Sequence, residues 1–426
     1  MNDYTPISVN TSASEKNTGV NLAFTIKKAV IVDAVAYEGL LPGREYTIKG
    51  VLMDKETRKP LLINGKEVTA EKTFTAKATS GVEELEFELD ARELVGKQVV
   101  VFEKLYSGIR LAGSHEDIHD GSQTIIFMDP EVRTTAQDSE TGTNQGFAIE
   151  KSTIIDKVEY TNLIAGKEYT VKGLLMSKET GEKLLINGKE VTAKRSFVAE
   201  TSNGSIDIEF HLDASSLAGQ SVVVFEDLYF NGYKIASHAD IEDEGQTIEY
   251  PDSKIRTKAS DKADGDENIL AGEKAVIVDA VTYSGLIPRK EYTIKGILMD
   301  KKTNKSLLIN GKEIVSEKTF TPDQADGVVE LEFSFDGRGL AGREIVVFEK
   351  LFYGDFEVTN HEDINDEGQT VKMLRLPVGQ KSNAPKTGDT SSVLILVAGL
   401  IISLGTIVAI VVKRRRRGKL IKSSKA

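Results

Sequence analysis

The stretch Glu84–Leu89, ELEFEL, alternates strictly between glutamate and a large apolar residue. Because successive side chains of a β-strand point to opposite faces of a sheet, Leu85, Phe87 and Leu89 are predicted to face a core. The three glutamates between them are then predicted to face solvent. A strand with one buried and one solvated face is typical of an antiparallel sheet, so the stretch predicts a β-fold.

The residues around this stretch predict further strands and the turns between them. Leu-Pro-Gly at 41–43 and Asn-Gly at 64–65 mark turns, and the second predicts a hairpin that begins with Leu61–Ile63. Outside residues 393–412, no long stretch has the 3.6-residue period of a helix. We therefore expect an all-β fold, an immunoglobulin-like antiparallel β-sandwich, with strands at Lys28–Val35, Glu45–Leu52, Leu85–Leu89, Gln98–Leu105 and Ser122–Phe127.

The same pattern occurs three times in tandem. Tyr46, Tyr169 and Tyr292 lie 123 positions apart and begin the segments YTIKGVLMDKETRKPLLINGKEVTAEKTF, YTVKGLLMSKETGEKLLINGKEVTAKRSF and YTIKGILMDKKTNKSLLINGKEIVSEKTF. A unit of this length can bury a core of its own, unlike a solenoid repeat of roughly 20–50 residues. We predict domains at 1–128, 129–251 and 252–374, a linker at 375–383 and a separate C-terminal segment at 384–426, with short joints that contain Pro130 and Pro251.

The composition excludes several classes of function. The chain has no cysteine, which excludes disulfides, zinc-finger spacing, a cysteine nucleophile and a Cys–Gln thioester. Of its 54 basic and 66 acidic residues, eight basic and one acidic residue lie in 388–426. The body, 1–387, therefore has 46 basic and 65 acidic side chains, a net charge of −19, which argues against nucleic acid as a partner.

One set of polar residues keeps its spacing through all three repeats. A threonine, an aspartate, a glutamate, a histidine and a glutamine each recur at shifts of 123 positions, and threonine and glutamine are 112 residues apart every time. A core explains why apolar residues keep their register, but it does not explain this set, so we expect its members to meet in space. The set is Thr11, Asp33, Glu103, His115 and Gln123, then Thr134, Asp156, Glu226, His238 and Gln246, then Thr257, Asp279, Glu349, His361 and Gln369.

These groups have the chemistry needed to join a threonine to a glutamine. A hydroxyl that attacks a carboxamide forms an ester and releases ammonia, and the attack needs a base such as a histidine oriented by a carboxylate. His115 with Asp120 is such a pair, repeated as His238 with Asp243 and as His361 with Asp366. Two buried carboxyl groups that share a proton can stabilise the charge on the amide oxygen and help ammonia leave, and Asp33 with Glu103 is the candidate pair in the first repeat.

The repeats resemble a known family. Each contains the run VVVFEKL, VVVFEDL or IVVFEKL and closes on H-x-D-x-x-D-x-x-Q-T. Over about 1–372 these motifs are similar to those of the VaFE repeat domains of Gram-positive surface proteins, also called T-Q ester-bond domains. The resemblance implies CnaB-like sandwiches whose first and last strands are joined by an autocatalytic ester, with no cofactor and no metal. It places the esters at Thr11–Gln123, Thr134–Gln246 and Thr257–Gln369, and the catalytic groups at Asp33, Glu103, His115, Asp120, Asp156, Glu226, His238, Asp243, Asp279, Glu349, His361 and Asp366.

Other interpretations of single residues stay open. Asp33 follows the apolar run AVIV and could be an ordinary residue at the end of a strand. His119 and His211 have no counterpart in the other repeats and are interpreted as incidental surface residues. A third alternative is calcium binding by an aspartate of the closing loop, although the loops lack an EF-hand pattern; the candidates are Asp117, Asp240 and Asp363.

The C-terminus predicts where the protein is located. Residues 393–412 contain no charge and are long enough to span a bilayer, and KRRRR follows directly at 413–417. NAPKTGD precedes the span at 383–389, and this order resembles the cell-wall sorting signal of Gram-positive surface proteins, with Ala384 in place of the usual leucine. The resemblance implies that sortase cleaves between Thr387 and Gly388 and joins Thr387 to peptidoglycan or to a pilin subunit. The membrane is then contacted only by the C-terminal span before sorting.

These observations predict a structural stalk rather than an enzyme, since each ester forms only once. Met1–Asn10 contains no apolar signal region, so we expect a signal peptide and a head domain upstream in a longer protein. Two alternatives remain: the repeats could themselves bind a host ligand as an adhesin, or the chain could be a pilus shaft subunit polymerised by sortase. Neither a shared ligand site nor a Tyr-Pro-Lys pilin signature is visible in the sequence.

Overall fold

The computed structural model of the protein describes residues 6–376, and nearly all of its regular structure is β-strand. The first repeat contains β1 (Ser8–Glu15), β2 (Leu22–Phe24), β3 (Ala29–Glu38), β4 (Glu45–Asp54), β5 (Lys59–Pro60), β6 (Leu62–Ile63), β7 (Lys66–Glu67), β8 (Thr69–Thr75), β9 (Gly81–Leu89), β10 (Gln98–Ser107), β11 (Arg110–His115) and β12 (Thr124–Met128). The all-β prediction is therefore confirmed, and the predicted strands of this repeat differ from the observed ones by a few residues at their ends.

The second and third repeats follow the same order, except that the second has no strands equivalent to β2 and β5. The second contains β13 (Glu131–Asp138), β14 (Ser152–Thr161), β15 (Glu168–Ser177), β16 (Leu185–Ile186), β17 (Lys189–Glu190), β18 (Thr192–Val198), β19 (Gly204–Leu212), β20 (Gln220–Phe230), β21 (Tyr233–His238), a 3-10 turn at Glu244–Gln246, and β22 (Thr247–Tyr250). The third contains β23 (Lys254–Asp261), β24 (Asn268–Leu270), β25 (Ala275–Ser284), β26 (Tyr292–Asp300), β27 (Lys305–Ser306), β28 (Leu308–Ile309), β29 (Lys312–Glu313), β30 (Val315–Phe320), β31 (Gly327–Phe335), β32 (Glu344–Tyr353), β33 (Phe356–His361) and β34 (Thr370–Leu374).

Each repeat is built from two main sheets. In the first repeat, one sheet has the order β1-β3-β9, and the other has the order β2-β12-β10-β4-β5, with β11 beside β10 and β8 beside β4. The predicted Asn-Gly hairpin is present as the small sheet β6-β7. Neighbouring strands are antiparallel except that the short β2 pairs with β12 in parallel, and β24 pairs with β34 in the same way.

The core lies between the two sheets and follows from the alternation in β9. Leu85, Phe87 and Leu89 are buried, and the glutamates between them are exposed, as the sequence predicts. The facing sheet comes so close that a methyl group added at Gly50 of β4 would lie 2.5 Å from the Phe87 ring. A side chain at this position would require the Phe87 and Leu85 side chains to move, so glycine is favoured here.

The first and last strands of a repeat lie in different sheets and are not ladder partners. They meet where the chain enters β12: the Ala13 amide donates to the Ser122 carbonyl at 2.9 Å, and the Ser122 hydroxyl donates to the Thr11 carbonyl at 3.2 Å. These bonds hold the end of the closing loop, with Gln123, against β1. The two ends of the repeat are thus joined across the sandwich rather than along one sheet.

Within residues 6–376, no helix is long and apolar enough to cross a membrane. The predicted span at 393–412, the linker at 375–383 beyond Leu376, and the sorting motif with Thr387 and Gly388 lie outside the described residues. The described residues up to Leu374 form one compact unit.

Candidate functional site

Three inward-facing strand positions in each repeat carry polar side chains where a sandwich core usually has apolar ones. In β3, Ile31, Asp33 and Val35 face inward in succession, and Asp33 is 0% exposed. Glu103 is buried in β10, and Thr11 is buried in β1 of the other sheet. The two-residue period of these strands therefore directs all three polar groups into the same core.

Glutamine completes this buried cluster from the start of the last strand. The amide Nε2 of Gln123 donates to Glu103 at 2.8 Å, and the Thr11 hydroxyl donates to the same carboxyl group at 3.4 Å. The predicted threonine and glutamine thus meet at the carboxyl group of the predicted glutamate, although they are 112 residues apart in the chain.

The other two repeats build the same cluster with closer contacts. The Thr134 hydroxyl donates to Glu226 at 3.1 Å, Gln246 Nε2 donates to Glu226 at 2.6 Å, and Gln246 Nε2 also contacts the Thr134 hydroxyl. In the third repeat, Gln369 Nε2 lies 2.9 Å from the Thr257 hydroxyl and 2.5 Å from Glu349. Asp156 and Asp279 are fully buried like their counterpart in the first repeat.

The buried aspartate and glutamate of each repeat form a carboxyl pair that holds a proton at neutral pH. Burial raises the pKa of Asp33 to about 6, and burial together with the Asp33 charge raises the pKa of Glu103 to about 10. An ionised glutamate has no hydrogen to donate, and both oxygens of Asp33 would then be buried without a donor among the described residues. A proton on Glu103 provides that donor, so the pair is best described as a carboxylic acid bonded to a carboxylate.

The second and third carboxyl pairs behave in the same way. Burial raises the pKa of Asp156 and of Asp279 to about 6, because the charged form is separated from water. The pKa of Glu226 rises to about 10, and that of Glu349 rises well above its ordinary value, from burial first and the neighbouring aspartate second. Each glutamate is therefore the protonated member of its pair at neutral pH.

The predicted histidine–aspartate pairs are formed in all three repeats. His115 Nε2 lies 2.8 Å from Asp120, and the equivalent distances are 3.2 Å for His238 with Asp243 and for His361 with Asp366. A histidine that donates from Nε2 carries its lone pair on Nδ1, and Nδ1 of His238 and of His361 is buried without a partner. Among residues 6–376, no hydrogen bond joins an imidazole to a clustered threonine hydroxyl. The hydroxyl bonds to the glutamate in the first two repeats and accepts from Gln369 in the third.

Comparison with known protein families identifies these repeats. The family model of the T-Q ester bond containing domain matches residues 7–127, 130–250 and 253–373, which is most of the chain. The chain belongs to the T-Q ester bond domain family. The predicted resemblance is thereby confirmed, and the three repeats are T-Q domains.

A second family model locates the protein in the cell. The LPXTG cell wall anchor motif matches residues 385–419, which include the predicted sortase site and most of the apolar span. The motif implies processing by sortase and attachment to peptidoglycan. The chain is therefore a cell-wall-anchored surface protein with T-Q domains.

Comparisons with individual proteins add little. No curated protein matches the chain. Among solved structures, a bacterial adhesin from Mobiluncus mulieris with intramolecular disulfide, isopeptide and ester bond cross-links is 15% identical, with a TM-score of 0.27, over 52% of this chain and 80% of the adhesin. A β-D-mannosidase from Dictyoglomus thermophilum is 11% identical, with a TM-score of 0.20, over 50% of this chain and 28% of the enzyme. These likenesses are too low to add to the family assignment.

Each T-Q domain also contains a lysine and a second threonine that the sequence interpretation missed. Thr124 follows Gln123 directly, donates its hydroxyl to the Asp120 carbonyl at 2.7 Å, and accepts from Lys55 at 3.0 Å. This arrangement ties the loop with the histidine partner to the start of the last strand. The signal was present, because the lysine and threonine also recur at the shift of 123; the other copies are Lys178 with Thr247 and Lys301 with Thr370.

The three candidate calcium ligands have a local role in the loop instead. Asp117 accepts a hydrogen bond from the His119 amide at 2.9 Å, and Asp240 and Asp363 accept from the backbone two residues further along at 3.0 and 2.9 Å. Side chains of aspartate commonly close a turn in this way. Between residues 6 and 376, no group of three or more His, Cys, Asp and Glu side chains has the spacing to hold a metal ion.

Proposed function

We propose that each T-Q domain of this chain is locked by an intramolecular ester, and that the locked domains are the structural stalk of a cell-wall-anchored adhesin. The observation that most supports this proposal is that, in every domain, a threonine hydroxyl and a buried glutamine carboxamide lie within hydrogen-bonding distance of each other or of the same buried glutamate. The proposed bonds are Thr11–Gln123, Thr134–Gln246 and Thr257–Gln369.

The reaction balances with the groups that each cluster contains. In the middle domain, the bond from Thr134 Oγ1 to Gln246 Cδ forms while the bond from Cδ to Nε2 breaks. We assign the base to His238, which is oriented by Asp243 and takes the hydroxyl proton. The imidazolium then gives this proton to the departing nitrogen, while Glu226, whose carboxyl group lies 2.6 Å from the amide, keeps its own proton and polarises the amide. The products are an ester and ammonia, and no cofactor takes part.

Activation of the amide requires a donor at its oxygen. Oε1 of all three glutamines is buried without a hydrogen-bond partner among residues 6–376, while Nε2 faces the glutamate. Rotation of the amide by 180° exchanges these two atoms and allows the protonated glutamate to donate to Oε1. The developing negative charge would then be stabilised by the carboxyl pair in a site without water.

A lock of this kind has a thermodynamic and a mechanical consequence. By the chain-entropy model for disulfides, closing a loop of about 112 residues stabilises a domain by roughly 4–5 kcal/mol. An unlocked domain that is pulled from its ends can release about 110 residues at ~3.3 Å each. A bond between the first and last strands carries the force past the fold, which suits a surface stalk under shear.

Mass and chemical lability test the bond directly. Each ester releases one ammonia, so the three-domain body is expected to weigh less than its sequence by three losses of about 17 Da. Thr134→Ala is expected to restore one of these losses and to lower the melting temperature of the middle domain only. Glu226→Ala is expected to do the same while leaving both linked residues in place.

Two controls establish that the bond is an ester and that it forms at the named threonine. Thr135→Ala changes the adjacent exposed threonine and is expected to leave mass and stability unchanged. Hydroxylamine cleaves an ester but not a Lys–Asn isopeptide, which gives the same loss of mass. A body that has its full sequence mass under native conditions would show that the proposed lock is wrong.

A further inference from the structure

Phe24 and Phe147 occupy the same position in consecutive domains, and both pack against aromatic side chains of the domain that follows. The Phe24 ring lies 5.1 Å from that of Phe230 and 6.2 Å from that of Tyr169. The Phe147 ring lies 4.3 Å from that of Tyr353, and it packs with the core of the third domain. We call Tyr169 with Phe230, and Tyr292 with Tyr353, the aromatic sockets.

The residue types at these positions differ where the described residues show no such contact. The third domain has Leu270 where the first two have phenylalanine, and this leucine is 49% exposed. The first domain receives no side chain from a preceding domain within the described residues, and it has Ser107 where the sockets have Phe230 and Tyr353. The aromatic side chains therefore belong to the contact between domains, because a T-Q domain folds with leucine or serine in their place.

A second position shows the same dependence on a neighbour. Ile287 borders a cleft with Phe147, and it is 3% exposed. Ile164 at the equivalent position is 7% exposed, whereas Leu41 in the first domain is 46% exposed. The docked neighbour thus covers an apolar residue that is exposed on the first domain, which has no such contact within the described residues.

Two hydrogen bonds also connect the second and third domains beside the aromatic contact. Lys290 Nζ donates to the Thr141 carbonyl at 2.5 Å, and the Tyr353 hydroxyl donates to the Glu140 carbonyl at 3.4 Å. Both carbonyls belong to the turn that follows β13. Hydrogen bonds beside the stacked rings restrict the rotation of one domain relative to the other about the aromatic contact. Apolar packing alone does not restrict this rotation.

We infer that each aromatic socket is a binding site for one aromatic side chain of the preceding T-Q domain, and that it fixes the relative orientation of the two domains. Domains joined by short linkers move relative to each other unless an apolar interface holds them. Here the interface is specific, since one phenylalanine side chain of the preceding domain packs against a pair of aromatic rings on the next domain. This role is independent of the ester and would persist in a domain that has no cross-link.

A distance measurement between two domains tests the inference. The chain has no cysteine, so Ser205→Cys and Ser334→Cys place one spin label each on exposed strands of the second and third domains. In the three-domain body, double electron–electron resonance is expected to give one narrow distribution of distances between the two spin labels. Phe147→Ala is expected to broaden it by about twofold or more, because the domains then move independently.

Matched variants test whether a broader distance distribution results from loss of folding instead. Tyr353→Ser introduces the residue that the first domain already has at this position, and it is expected to broaden the distribution with all domains folded by circular dichroism. Leu270→Ala changes the same repeat position on the third domain and is expected to leave the distribution unchanged. A distribution that stays narrow in Phe147→Ala and Tyr353→Ser, or broadens equally in Leu270→Ala, would overturn the inference.

Discussion

The clustered residues are polar groups that a sandwich core accepts only at a cost. A buried hydroxyl or carboxamide without full hydrogen bonding destabilises the fold, and a buried carboxylate does so more strongly. Before reaction, threonine and glutamine bring three polar hydrogens into the core of each domain, whereas the proposed ester has none. Formation of the bond would therefore remove donors as well as join two strands.

The carboxyl pair gives the unlocked domain a characteristic pH dependence. In Thr134→Ala, no ester can form in the middle domain, while Asp156 and Glu226 remain. Because folding raises the pKa of Asp156 from 3.8 to about 6, the folded state binds a proton that the unfolded state releases. The stability from this proton is present below about pH 4 and is lost as the pH rises to about 6, and the raised pKa of Glu226 extends the decline towards pH 10.

Thermal unfolding at several pH values measures this effect. Between pH 4 and 7, the middle domain of Thr134→Ala is expected to lose on the order of 2–3 kcal/mol through Asp156. Adding Asp156→Asn is expected to remove the share due to Asp156 and to leave the share due to Glu226, whose pKa is raised mainly by burial. Equal pH dependence in the single and the double variant would contradict the assigned pair.

Among the strands, the close approach of the two sheets decides which side chains fit. Gly50, Gly173 and Gly296 occupy the same position on a central strand, and each is paired in register with the buried glutamate of its domain. The facing strand contributes a leucine or isoleucine and a phenylalanine that fill the space above it. The strand that positions the glutamate thus lies so close to the facing layer that a larger residue than glycine would displace side chains of that layer.

Gly296→Ala tests this spacing. The new methyl group would lie 2.6 Å from the Phe333 ring and 2.9 Å from Leu331, so one layer must move. We expect the third domain to lose about 1–3 kcal/mol of stability, measured by calorimetry, and to form its cross-link more slowly. Gly121→Ala, where the methyl group meets no atom within 4 Å, is the control and is expected to change neither quantity. An unchanged third domain in Gly296→Ala would show that the layers adjust freely.

The sequence predicted the elements that have a clear period and missed those that do not. ELEFEL predicted the buried face of β9, and the shift of 123 residues brought together the groups that meet in the core. The three-residue strand β2 and its parallel pairing gave no signal, because an isolated segment of this length shows no alternation. The role of Phe24 and Phe147 was also not predicted, because the third repeat has Leu270 at the same position and the residue type therefore does not recur. Their role depends on contacts with the following domain.

For the whole molecule, the anchor motif implies attachment to the cell wall on the C-terminal side of the T-Q domains. The cell wall anchor motif matches residues 385–419, beyond the residues that the structure describes. In this arrangement, the three T-Q domains lie in series between whatever precedes them and the attachment point. Force on the chain then passes through each of them in turn.

Substitution at the proposed sortase site tests the anchor. In a version that carries a signal peptide, Thr387→Ala is expected to remain in the membrane fraction or the medium, because no acyl group can be transferred to the wall. Thr390→Ala, three residues further along, is expected to be anchored normally. If Thr387→Ala is still released only by wall-digesting enzymes, attachment does not occur at this residue.

The contact between domains also has a consequence for how such a gene can change in length. The middle domain carries both halves of the joint, with Phe147 at one end and the rings of Tyr169 and Phe230 at the other. Tandem duplication of the DNA that encodes it would therefore yield an additional unit already compatible with its neighbours on both sides. Recombination between repeats could lengthen or shorten the surface protein in steps of 123 codons without new compensating mutations.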